Sequence, residues 1–239
     1  MTRRRGGRTP GGFQRIRLVL LPILLASTAC LSRPTSNPKI LVVGVASGPN
    51  NLDPRIGTDE VSARIAQLIF NNLMTWDSEL RIVPELAERL DNPEPTKYVV
   101  TLRRGVKFHD GHELTSADVV YTFRSLLDPT FISPRKGAYQ VVKSIDAQDR
   151  YTVVFTLTQP FGSFPVNLVL PIVPEGAGAA FGAHPIGTGP YRFVQYAVDD
   201  HLDMSRFDDY YGGPPRNDGV VIKIVPDNVM QGLELRKGT

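Results

Sequence analysis

Apolar and polar positions change period in a definite order along the middle of the chain. Tyr98, Val100 and Leu102 alternate with Val99, Thr101 and Arg103, the period of two that marks a half-buried strand, and β-branched residues suit its pleated surface. Gly105 interrupts that run. Val106, Lys107 and Phe108 form a second short extended piece, and His109, Asp110 and Gly111 read as a turn in which Gly111 supplies a positive φ. Thr115 to Asp118 then has the capping-box form, a hydroxyl followed three residues later by an acid, which predicts a helix start. Val119, Val120, Phe123, Leu126 and Leu127 recur at three- and four-residue spacing, giving that helix one apolar face until Pro129 discourages continuation.

The flanks carry the same mixture. Ile40 to Val45 is an apolar strand, and Gly48 to Pro54 holds the turn formers of a loop stiffened by Pro49 and Pro54. Val61, Ile65, Leu68, Ile69, Asn72 and Leu73 predict a helix with one mainly apolar face, capped by Asp59 or Thr58. Tyr151 to Leu157 alternates as a strand after an Asp149-Arg150 turn, and Val220 to Val225 supplies another. Residues 175–183 form a Gly/Ala-rich loop. The fold class is α/β, without internal repeats.

The N-terminus changes how charge is read. Arg3, Arg4, Arg5, Arg8, Arg15 and Arg17 precede an apolar run from Leu18 to Ala26 and the small residues Ser27, Thr28 and Ala29, the shape of a secretory signal. The run is shorter than the ~20 residues a membrane span needs. Residues 1–29 read as a signal peptide, the sole cysteine Cys30 as a lipidation site, and residues 30–38 as a polar tether. Ordinary cleavage nearby, leaving a free thiol, is the alternative. The leader holds six of the 27 Lys and Arg and none of the 24 Asp and Glu. The formal +3 therefore becomes −3 without it, and no basic stripe remains to suggest nucleic acid.

LRRGVKFHDGHELTSADVVYTF resembles the most recognisable motif of the bacterial extracellular solute-binding proteins of family 5, the peptide/nickel group that serves ABC transporters. ILVVGVASGPNNLDPRIG at 40–57, VPELAERL at 83–90, GTGPYRF at 187–193 and DDYYGGPPRNDGVVIKIVPD at 208–227 resemble further family segments in the family's order. The resemblance implies a type II periplasmic-binding-protein-like lobe with a small inserted α/β subdomain. Residues 39–57 and 186–239 would form the first lobe and 58–185 the subdomain. Family members are roughly twice as long, so the second lobe is expected to be missing and apolar surface to be exposed where it would dock.

The implied function is binding without catalysis: capture of a peptide-like solute outside the cytoplasmic membrane and delivery to an ABC permease and its ATPase. The protein would be a monomer, lipid-anchored on the periplasmic or cell-surface side of a bacterial membrane, with no cofactor, no resident metal and no nucleic-acid partner. Asn50, Asn51 and Asp53 follow the first strand, where open α/β sheets place ligand loops, although Asn and Asp are also ordinary turn residues. Trp76 could stack on a ligand or pack in the core. Thr188 and Tyr191 lie in the turn made by Gly187, Gly189 and Pro190, which either touches solute or shapes the chain's return. His109, His112 and Glu113 offer an H-x-x-H metal alternative, a nickel-complex binder or a remote metal-dependent hydrolase, but turn chemistry accounts for them. A non-functional fragment is the other reading.

Overall fold

A computed structural model describes residues 39–237. The leader of residues 1–29, Cys30 and the tether up to residue 38 lie outside the described residues. The first strand, β1 (Ile40–Val45), leads through a loop into helix α1 (Glu60–Ile69). A small hairpin of β2 (Met74–Trp76) and β3 (Ile82–Pro84) comes next. β4 (Ala87–Glu94), β5 (Lys97–Leu102), helix α2 (Ser116–Leu127), β6 (Val142–Asp149) and β7 (Thr152–Leu157) build the middle. A short helix α3 (Phe164–Asn167), strands β8 (Tyr191–Ala197), β9 (His201–Arg206) and β10 (Gly219–Ile224), and helix α4 (Asn228–Lys237) complete the order.

Two four-stranded sheets carry this chain. One runs β1-β10-β9-β8 and the other β4-β5-β7-β6. In the first, β1 lies parallel to β10, pairing Ile40 with Gly219 and Val45 with Ile224, while β8 and β9 form an antiparallel hairpin. Every pairing in the second is antiparallel. The alternation seen in the sequence is physical here, since Tyr98, Val100 and Leu102 on β5 and Val153, Phe155 and Leu157 on β7 all point into one core.

Helix α2 covers that core. Val119, Val120, Phe123 and Leu126 are buried, and Phe123 meets Phe155 edge-on at 5.1 Å and Tyr139 at 5.5 Å. Each such side chain contributes about 1.5–3 kcal/mol by leaving water. The helix begins as its sequence predicts: the Asp118 carboxylate accepts from the Thr115 amide (2.8 Å) and from Thr115 Oγ1 (3.1 Å), and α2 stops at Leu127 before Pro129. The preceding turn has Gly105 at φ 73° and Gly111 at φ 95°.

A second core lies on the first sheet. Ile65 and Ile69 from α1 and Phe70 at its end pack with Leu202, Met204, Val220 and Ile222 of the strands, with Val173, and with Ala177 and Phe181 from the Gly/Ala-rich loop. Asp59 caps α1 by accepting from the Ser62 amide at 3.0 Å. The helix is shorter than its pattern suggests, because Phe70 leaves helical geometry, Asn72 pairs with Pro171 in an isolated bridge and Leu73 lies in a bend. Leu41, Val42 and Val43 on the edge strand β1 stay exposed, as do Val229, Met230 and Leu233 on α4.

Candidate functional site

The loop between β1 and α1 is built to hold one shape. Asn51 Oδ1 accepts from the Asp53 amide (2.8 Å), and the Asp53 carbonyl accepts from the amides of Ile56 (2.9 Å) and Gly57 (2.8 Å). Ser62 Oγ accepts from the Asn51 amide and donates to Asn50 Oδ1 (3.1 Å), while the Asn50 amide donates to Asp59 Oδ2. A Cβ on Gly57 would overlap the Asn51 carbonyl, so the loop closes on itself only with glycine there.

Beneath the loop lies an ion pair almost wholly out of water. Arg55 Nη2 donates to Asp53 Oδ2 at 2.7 Å and to the Ala177 carbonyl at 2.8 Å, and Nη1 donates to Ser125 Oγ at 3.1 Å. The guanidinium lies 4.6 Å from the centre of the Phe131 ring. Burial alone would favour the neutral form, but the hydrogen bonds and charge of Asp53 outweigh it and raise the Arg55 pKa.

From the side, Arg135 holds the loop by two carbonyls. Its Nε donates to Pro54 O (3.0 Å) and its Nη2 to Gly57 O (3.1 Å), and Ser133 Oγ donates to Arg55 O. These groups border a groove of about 270 Å³, lined by Pro54 and Gly57 from the loop, Ala63, Ala66 and Phe70 from α1 and its end, and Trp76 and Arg135 opposite. Ligand pockets usually span ~300–1,000 Å³, so this hollow falls just below that range.

Three larger hollows, of about 590, 650 and 720 Å³, open elsewhere. Trp76 borders the last as well, so its ring, 45% exposed, separates two hollows. The 590 Å³ hollow gathers Asp110, Glu113, Asp118 and Glu175 around His112, and local partners engage the carboxylates of Asp110, Glu113 and Asp118. Glu113 accepts from Arg150 Nη2 (3.0 Å) and the Gly105 amide (2.8 Å), and Asp118 Oδ1 accepts from the Glu175 amide (2.9 Å).

The sequence candidates thus separate in space. Asn50 and Asn51 shape the loop, and Trp76 faces the groove. Asp53 turns inward, and its carboxylate serves Arg55. Thr188 is fully buried, with Oγ1 donating to Asn71 Oδ1 at 3.2 Å, and the largely buried Tyr191 donates to Asn217 Oδ1 at 2.6 Å. His109 is a junction residue: Nε2 lies 3.0 Å from Gly189 O, and Nδ1 accepts from the Gly187 amide at 3.2 Å, so Nε2 carries the proton. His112 instead lies 2.6 Å from Asp110 through Nδ1. Among the described residues no group of three or more His, Cys, Asp or Glu is arranged to hold a metal ion.

Two arginines escaped the sequence reading. The Asp-Pro-Arg spacing at 53–55 was a local signal for the first, since an Asp two residues before a donor readily forms an Asx turn. Nothing local marks Arg135, which reaches its carbonyl partners across some eighty residues of chain.

Comparison with known proteins gives this geometry a setting. A family model described as bacterial extracellular solute-binding proteins, family 5 Middle, matches residues 81–239. Similar curated proteins include the glutathione-binding protein GsiB of Pectobacterium atrosepticum, 31% identical over 89% of this chain and 43% of that protein. The oligopeptide-binding protein AppA of Bacillus subtilis is 28% identical, over 92% and 45%. The solved structure of AppA in complex with a nonapeptide superposes with a TM-score of 0.79 at 30% identity, over 83% of this chain and 42% of that one. NikZ from Campylobacter jejuni, solved with Ni(L-His), shares the fold at TM-score 0.76 and 24% identity, over 84% and 42%. The chain spans less than half the length of these relatives.

Proposed function

The chain belongs to the bacterial extracellular solute-binding proteins of family 5, and on that premise we propose that residues 39–237 present one wall of a cleft that captures a peptide-like solute for an ABC permease and its ATPase. The fold is that of a lobe of a type II periplasmic binding protein. The carrying observation is the preorganised 50–57 loop, fixed from below by Arg55 and from the side by Arg135, beside an open groove that also takes in Trp76. A loop held rigid before binding loses little entropy when a ligand arrives.

In this reading the chain binds and does not catalyse. Trp76 and the loop edge at Pro54 and Gly57 meet the solute, with Asn50 and Asn51 shaping that edge. Asp53, Thr188 and Tyr191 act from behind it. Such proteins work extracellularly, and Cys30 would carry the lipid that anchors this one. Exposed Leu41, Val42 and Val43 on β1, with Val229, Met230 and Leu233 on α4, suit contact with the opposing wall. Isothermal titration of the chain with pooled two- to nine-residue peptides tests the reading. Saturable heat with peptides and none with sugars or nickel–histidine supports it; silence to peptides from a cooperatively melting chain rejects it.

A further inference from the structure

The groove beside Trp76 carries one charge. Its walls are apolar or neutral, from Pro54, Ala63, Ala66 and Phe70 to Val169 and Pro171, and among the described residues Arg135 is the only ionisable side chain that lines it. That arginine is half-buried and held by two backbone carbonyls, which fixes its plane without neutralising it. Among the described residues Arg135 has no carboxylate partner, and its Nη1 makes no hydrogen bond. Arg55, the fully buried guanidinium beneath the same loop, by contrast has a carboxylate at 2.7 Å.

A fixed, half-desolvated cation without a counter-ion has an uncompensated cost, and an anionic group reaching it recovers that cost as binding energy. Nη1 also extends the guanidinium donor array beyond the two bonds already made, and a carboxylate oxygen is the acceptor this geometry fits best. Apolar surface and the Trp76 ring on the same hollow suit an aliphatic or aromatic body beside the anion. We propose that Arg135 is a specificity-determining residue, which selects a ligand bearing a carboxylate and seats that carboxylate in the groove between the 54–57 loop and Trp76.

This rests on the peptide-binding reading and narrows it. A terminal carboxylate and an Asp or Glu side chain share the chemistry, so the probes must separate them. Four peptides do so by titration calorimetry with the full chain: trialanine, C-amidated trialanine, C-amidated Ala-Glu-Ala and C-amidated Ala-Gln-Ala. If the terminus is the anion, trialanine binds roughly ten- to a hundred-fold tighter than its amide. If a side chain supplies it, Ala-Glu-Ala amide exceeds Ala-Gln-Ala amide by the same factor. Arg135→Gln keeps amide donors for the loop carbonyls but removes the charge, and it should erase the preference while amidated peptides still bind. Arg135→Lys should keep much of it.

Because loosening the loop would weaken all four peptides together, the ratio separates selection from support. Equal affinity for charged and amidated peptides overturns the proposal and leaves peptide capture intact. An unchanged ratio in Arg135→Gln also overturns it. Binding of none of the four by a folded chain overturns the proposal, and silence to the pooled two- to nine-residue peptides as well removes both.

Discussion

Asp53 and Arg55 face each other at 2.7 Å with side chains 2% and 1% exposed, so the loop that borders the groove stands on a buried ion pair. Breaking such a pair from one side leaves an uncompensated charge, at a cost of about 3–5 kcal/mol. Arg55→Met should lower the urea-unfolding free energy by about that much, and Asp53→Asn combined with Arg55→Met should restore most of it. A single variant within 1 kcal/mol of wild type would show that the pair does not support the loop.

Gly187 and Gly189 press on the end of α1. A Cβ on Gly187 would overlap the Ile69 carbonyl, and one on Gly189 would lie 2.6 Å from Leu68 O, backbone atoms that cannot turn aside. Gly187→Ala and Gly189→Ala should each destabilise by about 1–3 kcal/mol. Gly137→Ala, where the new methyl would meet nothing within 4 Å, should change the melting temperature little.

His109 gives the chain an acid limit. Burial, opposed by the hydrogen bond to Gly189 and assisted by the Arg192 charge, pushes its pKa down to about 4 from 6.5. The unfolded chain therefore binds this proton more readily than the folded one. Stability from His109 is complete above about pH 6.5 and is lost as pH falls through about 4, a change of roughly 3 kcal/mol. Chemical denaturation from pH 7.5 to 4 should show this slope, and His109→Gln should flatten it.

Trp76, the only tryptophan, is half exposed and borders the groove. Its fluorescence should shift when peptide binds. Trp76→Ala should weaken binding several-fold while moving stability by no more than ~0.5 kcal/mol, the usual range for surface changes. A large stability loss would mean that its ring serves packing.

Local periodicity carried much of the fold. Both helix caps at Asp59 and Thr115, the Gly111 turn and the β5 and β7 alternation were legible because each depends on residues close in sequence. Pairing of β1 with β10 was not legible, since register across some 180 residues leaves no local mark. The site divided the same way. Asn50 and Asn51 were readable as turn residues and Trp76 as a stacking surface. Whether Asp53 faces solute or Arg55 depends on what packs beneath it, and Arg135 arrives from a distant segment.

The central claim is that solute meets the surface joining the 54–57 loop, the start of α1 and Trp76. Hydrogen exchange of the full chain with and without pooled peptides measures this directly. The account predicts added protection in residues 54–66 and 74–76, with the 590 Å³ hollow around His112 unchanged. Protection concentrated around residues 110–118 and 174–178, or none at peptide concentrations that give saturable binding heat, would contradict it.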